Sequence, residues 1–159
     1  MGKLFFEQTA LSFIKEGKVI NTRDTLAYKM EVRRSKMKKH FSFLQDGVEV
    51  LSITRESGSF NRGFIVWTKN ETFSVQVDYQ NFQEKYQIQG LKGLSCTESM
   101  GGHTIERNGK EIGGVTTRGR TYEIWTEEDK DELLLLAFGL ILSIVNIQKK
   151  LGQLAVLIP

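Results

Sequence analysis

The 159 residues include a single cysteine, a single proline and two histidines, and each scarcity excludes something. One cysteine, Cys96, cannot close an intramolecular disulfide or build a cysteine-based structural zinc site. It has no adjacent cation to activate it, so it reads as a small hydrophobe rather than a nucleophile. The proline, Pro159, is terminal and cannot shape the interior, whereas fifteen glycines supply many tight turns. His40 and His103 belong to no H-E-x-x-H or other metal-ligand spacing and read as ordinary strand or turn residues. Gly101-Gly102 and Gly113-Gly114 lack the G-x-x-x-x-G-K-[ST] phosphate-binding pattern and read as turns and bulges that let a sheet curl. The acidic stretch from Glu127 to Glu132 lacks the spacing and central glycine of a calcium loop. Convergent titratable groups are thus too few for an active site. The expectation is a protein that is not an enzyme, with no cofactor and no metal.

Long apolar runs are equally scarce. The fifteen residues from Leu133 to Ile147 are interrupted only by Gly139, Ser143 and Asn146. As a helix they extend about 22 Å, short of a hydrocarbon layer near 30 Å. A solvent-facing helix would carry a polar stripe, which this one lacks. It must therefore be enclosed by protein, and the rest of the chain is almost all strand. Acids before the run and Lys149 and Lys150 after it match the helix dipole, and Thr126 with Asp129 resembles a capping box. A central helix over about 127–149 is expected, with Leu136, Phe138, Leu140, Ile141, Ile144 and Val145 buried together on different faces. Gly139 should let a strand or an aromatic ring approach closely. The tail from Leu151 to Pro159 is expected to pair as a last strand or pack on the barrel, with a loose end as the alternative.

Val, Ile, Phe, Tyr and Thr enrichment between turn signals predicts about a dozen short antiparallel strands. Leu26, Tyr28, Met30 and Val32 alternate, which requires one wet and one buried face. Asp46-Gly47 and Asn108-Gly109 are hairpin turns of the kind that need positive φ. The length suits one domain over 1–159. Before any apolar run the N-terminus carries Glu7, so no signal peptide is expected, and Phe6 stands where a myristoylation signal wants Ser or Thr. A reducing, cytoplasmic setting follows as the expectation, with the protein peripheral at a membrane.

The net charge is only +3, yet Arg33, Arg34, Lys36, Lys38 and Lys39 fall within seven residues. They lie at the end of one strand and the start of the next, where a turn gathers them within about one Debye length of each other. Arginine offers bidentate geometry and lysine a mobile point charge, so phosphate is the natural ligand. Near an anionic leaflet each is worth up to about 1 kcal/mol. Arg55, Arg62, Arg118 and Arg120 are candidate extensions of this patch. A small charge excess, and Phe41 and Phe43 in core register, argue against nucleic acid.

The stretch Phe43 to Ile53 around Asp46-Gly47, Phe73 to Tyr79, the Asn108-Gly109-Lys110-Glu111-Ile112-Gly113 hairpin, Tyr122 to Thr126, and the acidic cap before Leu133 to Ile147 together resemble the tubby C-terminal-like fold. Within it the chain is similar to the LURP-one-related family and its small bacterial members, and more distantly to phospholipid scramblases. It lacks the multi-cysteine stretch and the C-terminal span associated with the latter. The resemblance implies a closed antiparallel barrel of about twelve strands around one hydrophobic C-terminal helix. It implies no agreed activity, although tubby proteins bind phosphoinositides. The combined expectation is a non-enzymatic module that binds anionic phospholipid or phosphoinositide headgroups, at a membrane surface or on another phosphorylated ligand, through Arg33, Arg34, Lys36, Lys38 and Lys39. The alternative is a structural or protein-interaction domain with a protein partner and no small-molecule ligand.

Overall fold

A computed structural model describes residues 2–7, 16–35, 38–56, 63–80 and 83–157. Its strands are β1 (Gly2–Glu7), β2 (Glu16–Asn21), β3 (Leu26–Ser35), β4 (Lys38–Gln45), β5 (Val48–Glu56), β6 (Gly63–Thr68), β7 (Thr72–Gln80), β8 (Gln83–Gln89), β9 (Leu94–Ser99), β10 (Gly102–Arg107), β11 (Lys110–Arg118) and β12 (Thr121–Thr126). A 3-10 turn (Asp129–Asp131) leads into helix α1 (Glu132–Leu157). The twelve strands form one antiparallel sheet in the order β8-β7-β6-β5-β4-β3-β2-β1-β12-β11-β10-β9. β1 pairs with β12 along its length, which brings the two ends of the strand sequence together. The result is a mostly β, nearly closed barrel packed around one helix.

The turns follow the chemistry of their residues. Asp46 and Gly47 have φ of 52° and 78°, and Asn108 and Gly109 have φ of 53° and 80°. These pairs tolerate the left-handed region and match the twist of the flanking strands. Between turns, side chains alternate: Phe64 and Val66 of β6 are buried, while Ile65 and Trp67 stand on the outer face. Tyr28 and Met30 of β3 are buried as their alternation predicts, but Leu26 is 53% exposed. It pairs with Ile20 beyond a register shift at Val19/Ile20, where the bulge re-aims the strand start.

Every residue from Leu134 to Val145 is buried, which on a helix means that all faces are covered. Leu136, Phe138, Leu140, Ile141, Ile144 and Val145 share one core with Phe41, Leu51, Ile53, Val66, Phe73 and Ile124 from the wall. Burying each such side chain stabilises the fold by roughly 1.5–3 kcal/mol. The polar interruptions are satisfied: Ser143 Oγ donates to the Leu140 carbonyl at 2.7 Å, and Asn146 Nδ2 donates to Tyr122 Oη at 2.9 Å. Gly113 and Gly114 lie within β11 rather than in a turn. A Cβ at Gly113 would sit 2.8 Å from Leu135 Cδ1, so the glycine lets the helix approach the wall. At Gly114 a Cβ would lie 2.6 Å from Trp125 Nε1, where the indole crosses the strand.

Both helix ends differ from expectation. Thr126 does not cap: it is the last residue of β12, held in register with Gly2 and Gly113, and the helical turn begins after Glu128 without a side-chain cap bond. Instead, the Glu127 N–H donates to the Ile112 carbonyl, and Asp131 pairs with Arg107 at 3.1 Å. Sheet pairing outcompeted a local cap. At the other end the tail is not a strand, since α1 continues to Leu157, and Lys149 and Lys150 lie inside the helix. Prolonging a helix adds one hydrogen bond per residue fixed, while a strand would first need a chain reversal near Gly152, and the helix runs straight through that residue. Ile158 and Pro159 lie outside the described residues.

Candidate basic site at the barrel mouth

The basic run closes the β3–β4 hairpin. Arg33 faces His40 across the ladder, Arg34 faces Lys39 and Ser35 faces Lys38. Lys36 lies outside the described residues, as does Arg62. On the next strand Lys39 is in register with Arg55 and Lys38 with Glu56. Strand alternation then divides the run between two faces. Arg34, Lys39 and Arg55 share the inner face with Val32, Phe41 and Ile53, forming a row of three cations across β3, β4 and β5. Arg33 and Lys38 point outward, where Arg33 pairs with Glu31 at 3.7 Å and Glu31 also meets Lys29 at 3.8 Å.

The inner row is electrostatically costly. Lys39 is only 9% exposed, and its ammonium lies 5.7 Å from the centre of the Phe41 ring. Burial, reinforced by the charges of Arg34 and Arg55, pulls its pKa down to about 8. Burial also lowers the pKa of Arg55, whose Nε and Nη1 are enclosed without a hydrogen-bond partner. Facing side chains on adjacent strands have Cβ atoms roughly 4.5–5.5 Å apart, and like charges there are destabilising. An anion seated on the row would supply acceptors for Arg55 and reduce the repulsion.

Arg55 was among the candidate extensions, and the β4–β5 register brings it to the row. Arg118 and Arg120 flank the β11–β12 turn, separated from β3 by β12, β1 and β2, so they are not part of it. His40 stands on the outer face, with Nδ1 2.8 Å from Thr54 Oγ1 and Nε2 3.8 Å from Glu49. Phe41 and Phe43 are turned into the core, where no base can stack on them. The described residues hold no group of three or more His, Cys, Asp or Glu side chains arranged for a metal, and no helix among them is long and apolar enough to cross a membrane.

No protein-family model and no curated protein matches the sequence. Among solved structures, the chain is similar to the X-ray structure of a protein from Arabidopsis thaliana. The TM-score is 0.51 at 10% identity, with 95% of this chain and 91% of the other covered. At that identity the likeness is one of fold alone. It extends over nearly the whole barrel and its helix.

Proposed function

We propose that the protein is a non-catalytic, cytoplasmic binding module that associates peripherally with anionic membrane surfaces, the phosphate of an anionic phospholipid or phosphoinositide sitting on Arg34, Lys39 and Arg55. The observation that carries this reading is the row itself: three cations on one face, one of them with two enclosed N–H groups lacking acceptors. Burial disfavours the charged forms of Lys39 and Arg55, and a bound anion would offset that cost. Arg33 and Lys38 on the outer face, together with Lys36, add long-range attraction that falls with salt. The tubby-like resemblance supports a phosphoinositide as one such ligand.

Sedimentation with phosphatidylcholine vesicles, with and without phosphatidylserine or phosphoinositide, tests this at about 0.15 M salt. A variant carrying Arg34→Gln, Lys39→Met and Arg55→Gln should lose the anion-dependent pelleting. Arg33→Gln with Lys38→Gln should weaken it only modestly. Equal pelleting of wild type and the inner-row variant would refute the reading. A protein-interaction role draws support from Ile65 and Trp67, exposed side by side on the outer face of β6. Light scattering after size exclusion tests self-association through that face: a dimer dispersed by Trp67→Ser would favour it.

A further inference from the structure

The strand ladder begins at β8 and ends at β9, and among the described residues no ladder joins these two strands. They are consecutive in sequence and lie beside each other, so the barrel wall has a seam there. Elsewhere each strand is held by backbone hydrogen bonds on both sides. At the seam the connection is made by side chains. Glu84 of β8 turns inward, its side chain 1% exposed. Its Oε2 accepts a hydrogen bond from the Tyr86 hydroxyl and lies 3.0 Å from His103 Nε2 on β10, beyond β9. The Tyr86 hydroxyl is 3.4 Å from the same nitrogen, and the two rings meet edge to face at 85°. Beside them on β9 is Cys96, whose thiol pKa is pushed up to about 12 by burial and by the charge of Glu84. Glu98 of β9, in register with His103, lines the exposed end of the group.

A carboxylate placed this deep costs several kcal/mol unless its partners hold it. On β7 the inward positions opposite Ile88 and Tyr86 are valines, Val75 and Val77, so Glu84 brings an acid to the end of an otherwise apolar stretch of wall. What Glu84 adds is a bond that reaches over β9 and ties β8 to β10. That bond is made by side chains, an imidazole and a phenol among them, rather than by a ladder.

We propose that the β8/β9 seam is a gate in the barrel wall and that Glu84, Tyr86 and His103 are its latch. Releasing the latch lets β8 part from β9 without unfolding the rest, opening a path to the inner face at Cys96. The mechanism is local opening, in which a region with fewer backbone bonds separates at a lower free energy than the whole.

Cys96 is the only thiol in the chain and reports on the opening directly. Its labelling by a small disulfide reagent is followed at increasing low concentrations of urea, with global unfolding measured separately by tryptophan fluorescence. For the wild type, slow labelling that is insensitive to low urea is expected. His103→Leu should accelerate it about 10- to 100-fold, the worth of a charge-assisted hydrogen bond. His103→Gln, which returns an N–H near the Nε2 position, should restore most of the protection. Should His103→Leu fail to fold, Glu84→Gln keeps the shape, weakens the bond and should give a smaller acceleration. Arg107→Ala, which destabilises the far end of the barrel, should leave the urea-insensitive labelling unchanged. Labelling that depends steeply on urea in the wild type, or rates in the latch variants that follow global stability alone, would overturn the gate.

Discussion

Gly139 offers a sharp test of how tightly the helix is enclosed. Exchanging a helix-interior glycine for alanine ordinarily stabilises by about 1 kcal/mol, because alanine loses less backbone entropy. Here an added Cβ would lie 2.5 Å from Ile124 Cδ1, 2.9 Å from Ile124 Cγ1 and 3.3 Å from Phe6 Cε1. Ile124 is fully buried on β12 and has no open space to enter, while Phe6 is held by stacking on Tyr122 at 5.1 Å. Overpacking of this kind costs typically 1–3 kcal/mol. Gly139→Ala is therefore expected to destabilise by up to about 2 kcal/mol once the propensity gain is subtracted. Ile124→Val, which removes the offending Cδ1, should cost about 0.5–1.5 kcal/mol alone. In that background Cγ1 remains at 2.9 Å, so Gly139→Ala should cost less than in the wild type without becoming stabilising, a coupling of about 1 kcal/mol between the sites. Urea denaturation followed by tryptophan fluorescence measures all four corners of the cycle. Additivity within about 0.5 kcal/mol, or a single alanine variant more stable than wild type, would refute the claim that the wall meets the helix at this point.

Lys39→Met should raise stability by about 1–3 kcal/mol near neutral pH, since burial and two cations oppose the ammonium it removes. In the wild type the folded pKa, about 8, lies below the usual lysine value, so stability should be lowest below pH 8. It should rise from there toward the unfolded lysine pKa and then level, whereas the Met variant lacks that rise; parallel pH profiles of urea midpoints would contradict it. Anion binding should weaken as pH climbs through 8, and a profile unchanged by Lys39→Met would remove Lys39 from the site. Arg107→Ala leaves Asp131, 4% exposed at the side chain, without its 3.1 Å partner and should cost about 1–3 kcal/mol; an unshifted urea midpoint would show the pair to be unimportant. Leu140→Asp buries an unpaired carboxylate at a cost of several kcal/mol against a total of roughly 5–15 kcal/mol, so insoluble or unfolded protein is expected, and a soluble variant with native circular dichroism would be inconsistent with an enclosed helix.

What the sequence determined by itself was local or compositional. The Asp46-Gly47 and Asn108-Gly109 turns were legible because positive φ is a property of those residues. The enclosure of Leu133 to Ile147 was legible because a helix apolar on all faces, too short for a bilayer, has nowhere else to go. Gly139 was legible as a point of close approach, though Ile124 and Phe6 as the neighbours were not.

Only the tertiary structure decided whatever depended on register or on partners distant in the chain. Thr126 has the chemistry of a cap, yet pairing with Gly2 and Gly113 drew it into β12. The tail carries residues that suit either a strand or a helix, and continuation from an existing helix won. The basic run looked like one cluster, but alternation split it, and only the β4–β5 register joined Arg55 to Arg34 and Lys39. His103 looked ordinary because its partner, Glu84, lies 19 residues away on a strand that is not its neighbour. A one-residue slip in a strand reverses which face a side chain takes, and no local pattern records which slip the closed barrel selects.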